Sequence, residues 1–147
     1  VKTRILLADD DPAVASALGD VLSAEGYDVV YARNGRAAID AFSAPGRLGL
    51  VLLDLCMPEL GGWDTFERLM AMDPSLPIVV ITARPDQQPL AAAAGVDALL
   101  EKPLNIPQLL ETIQSLLAER PAARRTRIAA QSRDSFQRQS RNREASA

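Results

Sequence analysis

The sequence predicts an α/β fold: a doubly wound, five-stranded parallel sheet with helices on both faces. Two observations carry this expectation. Five short apolar runs alternate with five helix-like stretches up to Ala118, and the polar residues that break the pattern fall at the carboxyl ends of the runs. A continuous apolar run suits a strand buried on both faces. Strands alternating with helices at this density imply right-handed βαβ units.

Ile5-Leu6-Leu7-Ala8 is the first run, and it ends in acids. Asp11-Pro12 then reads as an N-cap followed by proline at the first helical position. Val14, Leu18, Val21 and Leu22 hold one helical face, and Gly26 supplies the stop. Val29-Val30-Tyr31 is a second strand, followed by a helix capped by Asn34, carrying Ile39 and Phe42 and ended by Pro45-Gly46. Leu50-Val51-Leu52-Leu53 is the most apolar strand and delivers Asp54 at its end. The loop Met57-Pro58-Glu59-Leu60-Gly61-Gly62 leads into a helix with Trp63, Phe66, Leu69 and Met70. Ile78-Val79-Val80-Ile81 ends at Thr82, and an Ala-rich helix follows from about Asp86 to Ala94, closed by Gly95. Ala98-Leu99-Leu100 ends at Glu101-Lys102-Pro103. The last helix repeats Ile106, Leu109, Leu110, Ile113, Leu116 and Leu117 at helical spacing.

Beyond Ala118 this periodicity stops. Residues 1–118 carry a net charge of −8 and residues 119–147 a net charge of +5, an acidic body with a basic appendage. The reading is therefore a domain over 1–118 and a mobile basic tail over 119–147, too poor in large hydrophobes to build a second core. Such a tail most often solubilises, and it cannot hold a helix-turn-helix, so no DNA-binding domain is expected in these residues.

Composition narrows the chemistry. With no histidine, Ser-His and Cys-His catalysis and histidine-based zinc sites are excluded, and the single Cys56 excludes an internal disulfide. No apolar run has the length needed to cross a bilayer, so a cytoplasmic protein without membrane contact is the default. Val1 in place of Met reads as the start of a processed chain or of a piece of a longer one.

What remains are carboxylates, hydroxyls and lysine. Sheets of this kind bind ligands outside the carboxyl ends of their strands, at the switch point of strand order. Asp9, Asp10, Asp54, Thr82 and Lys102 all fall at or just after such ends. Three carboxylates there repel one another unless a cation neutralises them. A hard divalent ion, Mg²⁺ before Mn²⁺ or Ca²⁺, is the natural answer, because it pairs carboxylates with phosphate oxygens and water. Lys102 adds a fixed positive charge and Thr82 a hydroxyl, both suited to an incoming phosphoryl group. Taken alone, each residue has a plainer reading: an acidic turn, a strand-ending threonine, a surface lysine. Asp11 is assigned to the helix cap, and Cys56 to the loop rather than to redox chemistry.

Four motifs in register, Ile5-Leu6-Leu7-Ala8-Asp9-Asp10-Asp11, Leu52-Leu53-Asp54-Leu55-Cys56-Met57-Pro58, Ile81-Thr82-Ala83 and Glu101-Lys102-Pro103, resemble the receiver domains of two-component response regulators. The resemblance spans roughly residues 3–118. It implies a flavodoxin-like (βα)5 fold with strand order 2-1-3-4-5. It implies that Asp54 takes a phosphoryl group from the phosphohistidine of a sensor histidine kinase or histidine phosphotransfer protein. Asp10 directly, Asp9 through water, Asp54 and the Cys56 carbonyl would hold Mg²⁺. Lys102 would pair with the phosphoryl oxygens and precede a cis Pro103, and Thr82 would bond a phosphoryl oxygen beside the small Ala83. Such a domain is a phosphoacceptor that also dephosphorylates itself, not a conventional turnover enzyme, and Cys56 and Arg84 occupy the positions that tune the rate. Its output would be a changed surface for a downstream protein partner, and a homodimer stays open.

The chain departs from the family pattern at Leu99, where Tyr or Phe is usual, at Leu104, at Gly61-Gly62 in place of Asp-Gly, and in a last helix without basic residues. Glycine at 61 should be tolerated because it accepts positive φ. Leu99 motivates an alternative, a pseudo-receiver that docks proteins without being phosphorylated. A flavin-binding fold is discarded, since three acids after the first strand repel a phosphate. A haloacid-dehalogenase-type phosphatase would want a second acid where Cys56 stands.

Overall fold

The computed structural model describes residues 2–57, 60–84 and 95–131. The elements in chain order are β1 (Arg4–Ala8), α1 (Pro12–Ala24), β2 (Asp28–Ala32), α2 (Gly35–Ser43), β3 (Leu50–Asp54), α3 (Gly62–Met72), β4 (Ile78–Thr82), β5 (Ala98–Glu101) and α4 (Ile106–Ala118). A further helix, α5, occupies 121–131. The Ala-rich helix expected over 86–94 lies outside the described residues, as do Pro58 and Glu59 of the loop after β3.

All strand pairs are parallel, and the order across the sheet is β2-β1-β3-β4-β5, the 2-1-3-4-5 order that the family resemblance implies. The apolar runs are buried on both faces because alternate residues face opposite layers. Leu6, Ala8, Val51, Leu53, Ile78 and Val80 pack with Ala38 of α2 and with Phe66 and Leu69 of α3. Ile5, Leu7, Leu50, Leu52, Val79 and Ile81 pack with Leu18 and Leu22 of α1 and with Leu109, Ile113 and Leu116 of α4. The result is a three-layer sandwich in which one strand serves two cores.

The helix starts follow local chemistry. The Asp11 carboxylate accepts from the N–H groups of Ala13 and Val14, ahead of Pro12 at the first helical position. Asn34 Oδ1 accepts from Ala37 N at 2.7 Å, and Asn105 Oδ1 from Gln108 N at 3.0 Å. Gly26 has φ +92, the left-handed conformation that ends α1 and turns the chain into β2.

Residues 121–131, part of the stretch read as a basic tail that could lengthen the last helix or form a transient one, are helical, and Arg124 is buried. Pro121 at the first position and Ala122, Ala123, Ala129 and Ala130 favour a helix without any apolar stripe. In the loop before α3, the positive φ falls on Leu60 (φ 88), while Gly61 has φ −60. Glycine matters instead at 62, where a Cβ would collide with the Leu55 backbone. That close approach lets α3 begin against the residue that follows Asp54.

Candidate functional site

Strand register builds the site. Ala8 of β1 pairs with Leu53 of β3, so the next residues, Asp9 and Asp54, leave neighbouring strands at the same level. This is where strand order reverses, between the crossover to β2 and the crossover to β3. Asp10 follows at the rim. Carboxylate oxygens of Asp9, Asp10 and Asp54 lie within 4.8 Å of one another, with Asp9 and Asp54 buried and Asp10 exposed. From the other side, Thr82 of β4 pairs with Glu101 of β5, and the Lys102 N–H donates to the Thr82 carbonyl at 2.7 Å. That bond directs Lys102 over the cluster. Its Nζ stands 3.1 Å from Asp54 Oδ2 and 3.6 Å from Asp9 Oδ2.

Both oxygens of Asp54 are engaged: Oδ1 accepts from the Cys56 N–H at 3.0 Å and Oδ2 from Lys102. Asp9 is less well satisfied. Its Oδ1 accepts from the Asp11 N–H at 2.9 Å, whereas its buried Oδ2 has no hydrogen-bond donor among the described residues. Burial pushes the Asp9 carboxyl up from the ordinary aspartate range, and the neighbouring Asp54 adds to this against the pull of the Asp11 N–H and Lys102. Burial also works against the Lys102 charge, but the hydrogen bond and charge of Asp54, then Asp9, more than offset it and raise its pKa. Among the described residues, one ammonium therefore faces the two buried carboxylates, with a third carboxylate, Asp10, at the rim of the cluster. An oxygen-rich cluster with an unsatisfied buried oxygen and an excess of negative charge has the donor chemistry a hard divalent cation needs.

The remaining site candidates are placed as follows. Thr82 ends β4, buried, with its hydroxyl accepting from the Arg84 N–H at 3.0 Å. Cys56 is exposed in the loop, held to Asp54 through its backbone N–H. The Lys102–Pro103 bond is cis. Leu99 is partly buried on β5 against the Phe66 and Leu69 side of the core. The sequence reading missed the support under the loop. Thr65 donates its hydroxyl to the Gly61 carbonyl at 2.9 Å, and a side chain at Gly35 would run into Thr65 and Leu60.

Comparison with known proteins bears on the arrangement directly. The family model for the response regulator receiver domain matches residues 5–114. The chain belongs to this family. Receiver domains are the response regulator modules of two-component systems, and the acidic pocket of this one sits where the fold and strand order require. Among curated relatives, the response regulator MprA of Mycolicibacterium vanbaalenii is 40% identical over 116 residues, covering 78% of this chain and 50% of that protein. MprA of Mycobacterium bovis is 38% identical over 119 residues, covering 80% of this chain and 51% of its own length. The chain thus spans about half the length of the curated relatives it matches.

Solved receivers agree. A CheY-like receiver domain protein from Methanospirillum hungatei superposes with a TM-score of 0.73 at 28% identity, covering 80% of this chain and 94% of that one. The Thermotoga maritima response regulator TrrA, solved in complex with Mg²⁺-BeF, superposes with a TM-score of 0.71 at 31% identity, covering 78% and 98%. Among the described residues no helix is long and apolar enough to cross a membrane.

Proposed function

We propose that this receiver accepts a phosphoryl group on Asp54 from the phosphohistidine of a sensor histidine kinase or histidine phosphotransfer protein, in a Mg²⁺-dependent reaction, in the cytoplasm. The observation that carries the reading is the buried pair Asp9–Asp54 bridged by Lys102, with one Asp9 oxygen left without a donor. An Asp54 oxygen attacks phosphorus, the phosphorus–nitrogen bond of the donor breaks, and the acyl phosphate forms on Asp54 while the imidazole leaves. Lys102, now 3.1 Å from the nucleophile, turns its ammonium to the phosphoryl oxygens as their charge develops. The Thr82 hydroxyl, which accepts from the Arg84 N–H, has its own proton to donate to a phosphoryl oxygen. Asp9, Asp10, Asp54 and the Cys56 carbonyl would hold Mg²⁺, which when bound neutralises the phosphoryl oxygens and the acid cluster together. A changed surface then engages a downstream protein partner.

The test is intact-protein mass after incubation with acetyl phosphate or phosphoramidate, with and without Mg²⁺. A phosphoryl adduct that forms only with Mg²⁺ is the expected result. No adduct under any condition, together with undetectable Mg²⁺ binding, would hand the chain to the pseudo-receiver reading.

Asp9→Asn is expected to make the metal-free chain more stable. Burial first, with the neighbouring Asp54, raises the Asp9 carboxyl against the pull of the Asp11 N–H and Lys102, so the ionised side chain costs stability that a neutral amide removes while its Oδ1 still accepts from Asp11 N. The gain should be on the order of 1 kcal/mol, and the rise in melting temperature on adding Mg²⁺ should shrink. Thermal denaturation with and without Mg²⁺ checks both. A less stable variant with an unchanged Mg²⁺ response would contradict the assignment of Asp9.

A further inference from the structure

Apart from Asp9, Asp54 and Thr82 of the site, the buried polar side chains among the described residues are Thr65, Asp97 and Arg124. Asp97 and Arg124 belong together. Asp97 stands immediately before β5, at the end of the sheet opposite Lys102, and its side chain is 0% exposed. Arg124 comes from α5, 27 residues later, and is 8% exposed. Its Nε donates to Asp97 Oδ1 at 2.7 Å and its Nη2 to Asp97 Oδ2 at 3.1 Å, a bidentate pair. The same guanidinium donates through Nη1 to the Pro74 carbonyl at 2.7 Å and through Nη2 to the Leu76 carbonyl at 3.3 Å.

Arg127 closes the rim, one helical turn on. Its Nη2 donates to Asp97 Oδ1 at 2.7 Å, its Nη1 to the Asp97 carbonyl at 3.0 Å, and its Nε and Nη2 to the Glu119 carboxylate at 2.9 and 2.8 Å. The hydrogen bond from Arg127 holds the Glu119 carboxyl below the usual glutamate range. Asp97 Oδ2 also accepts from the Ile78 N–H at 2.8 Å, so the carboxylate ties the start of β4 to the start of β5 and to α5. Ile128 of α5 reaches Gly95, where a Cβ would lie 3.2 Å from Ile128 Cγ2.

We propose that the amino-terminal end of β4 and β5 is a guanidinium socket, and that its partner is the arginine-bearing helix of the same chain, α5. The folded unit then runs to residue 131 rather than ending with α4. The socket is specific to arginine. Two carboxylate oxygens and two backbone carbonyls lie around one planar group, and a lysine ammonium is a point charge that cannot reach all four. With α5 away, Asp97 would lose both of its cations and the Pro74 and Leu76 carbonyls their donor, leaving water to replace them. Docking is therefore driven by completing a polar site, not by an apolar face. The reading does not depend on phosphoryl transfer.

Hydrogen exchange on the full chain tests it. In the unsubstituted protein the amides of 124–131, from the first one with a backbone acceptor, should show protection of about tenfold or more over unstructured chain. Arg124→Met should lose that protection, and the Ile78 and Asp97 amides should exchange faster, while those of β1 and β3 keep theirs. If Arg124→Met fails to fold, Arg127→Gln at the partly exposed rim should give a smaller loss confined to 124–131. Unprotected amides across 124–131 in the unsubstituted chain, or full protection in both variants, would overturn the socket.

Discussion

Asp54→Asn is expected to accept no phosphoryl group under conditions that label the unsubstituted chain. The substitution is close to isosteric, so the surroundings should survive. An asparagine Oδ1 can still accept from the Cys56 N–H, now 3.0 Å from Asp54 Oδ1, and the loop after β3 keeps its anchor. What changes is chemistry. A neutral amide offers no anionic oxygen to attack phosphorus. Its Nδ2 would also face Lys102 Nζ, donor against donor, where Asp54 Oδ2 now accepts at 3.1 Å. Lys102 would turn towards Asp9, whose Oδ2 already lies 3.6 Å away. The measurement is intact mass with phosphodonor and Mg²⁺, followed by fragmentation if any adduct persists. An adduct mapped to Asp10, the exposed member of the cluster, would take the acceptor role away from Asp54.

Sequence showed the fold and the site to different depths. Strands β1, β3 and β4 were legible because a strand buried on both faces must be apolar throughout, and Leu50-Val51-Leu52-Leu53 admits little else. The α1 and α2 starts were legible from a capping side chain, with proline in the first turn of α1, whereas α4 was legible from the spacing of its apolar residues and its Asn105 cap was not read. Periodicity does not encode strand order; that came from the motifs, which the family resemblance places in register. Gathering of Asp9, Asp10, Asp54 and Lys102 followed from their common position at strand ends once the order was known. The loop before α3 was misread because a glycine pair invites a positive φ, whereas Leu60 adopts it and Gly62 is needed for closeness to Leu55. Arg124 was invisible for another reason. An arginine among seven others in a segment without apolar spacing looks solvated, and its partner Asp97 sits 27 residues away with no local signal that it is buried.

Lys102→Met should separate the two tasks of the lysine. Among the described residues, its ammonium is the cation that faces Asp9 and Asp54, whose side chains are only 1% and 3% exposed. Removing one member of a buried ion pair costs roughly 3–5 kcal/mol. Lys102 is itself 28% exposed, so water and salt take part of its place, and a loss of about 2 kcal/mol is expected. Methionine keeps most of the aliphatic length, so the change reports on charge more than packing. Mg²⁺ should offset the loss, because any cation held by the folded state alone stabilises it, by about 2.7 kcal/mol at a hundredfold excess over Kd. Denaturation with and without Mg²⁺ therefore reads the structural task. The chemical task should not be rescued. A cation bound by the carboxylates cannot also supply the charge that approaches from β5, and phosphorylation of Asp54 should slow by about 10²–10³-fold even at saturating Mg²⁺. If stability falls, Mg²⁺ restores it and the rate is unchanged, then Lys102 only balances the carboxylates. A slowed rate at restored stability places its charge on the reacting phosphoryl group.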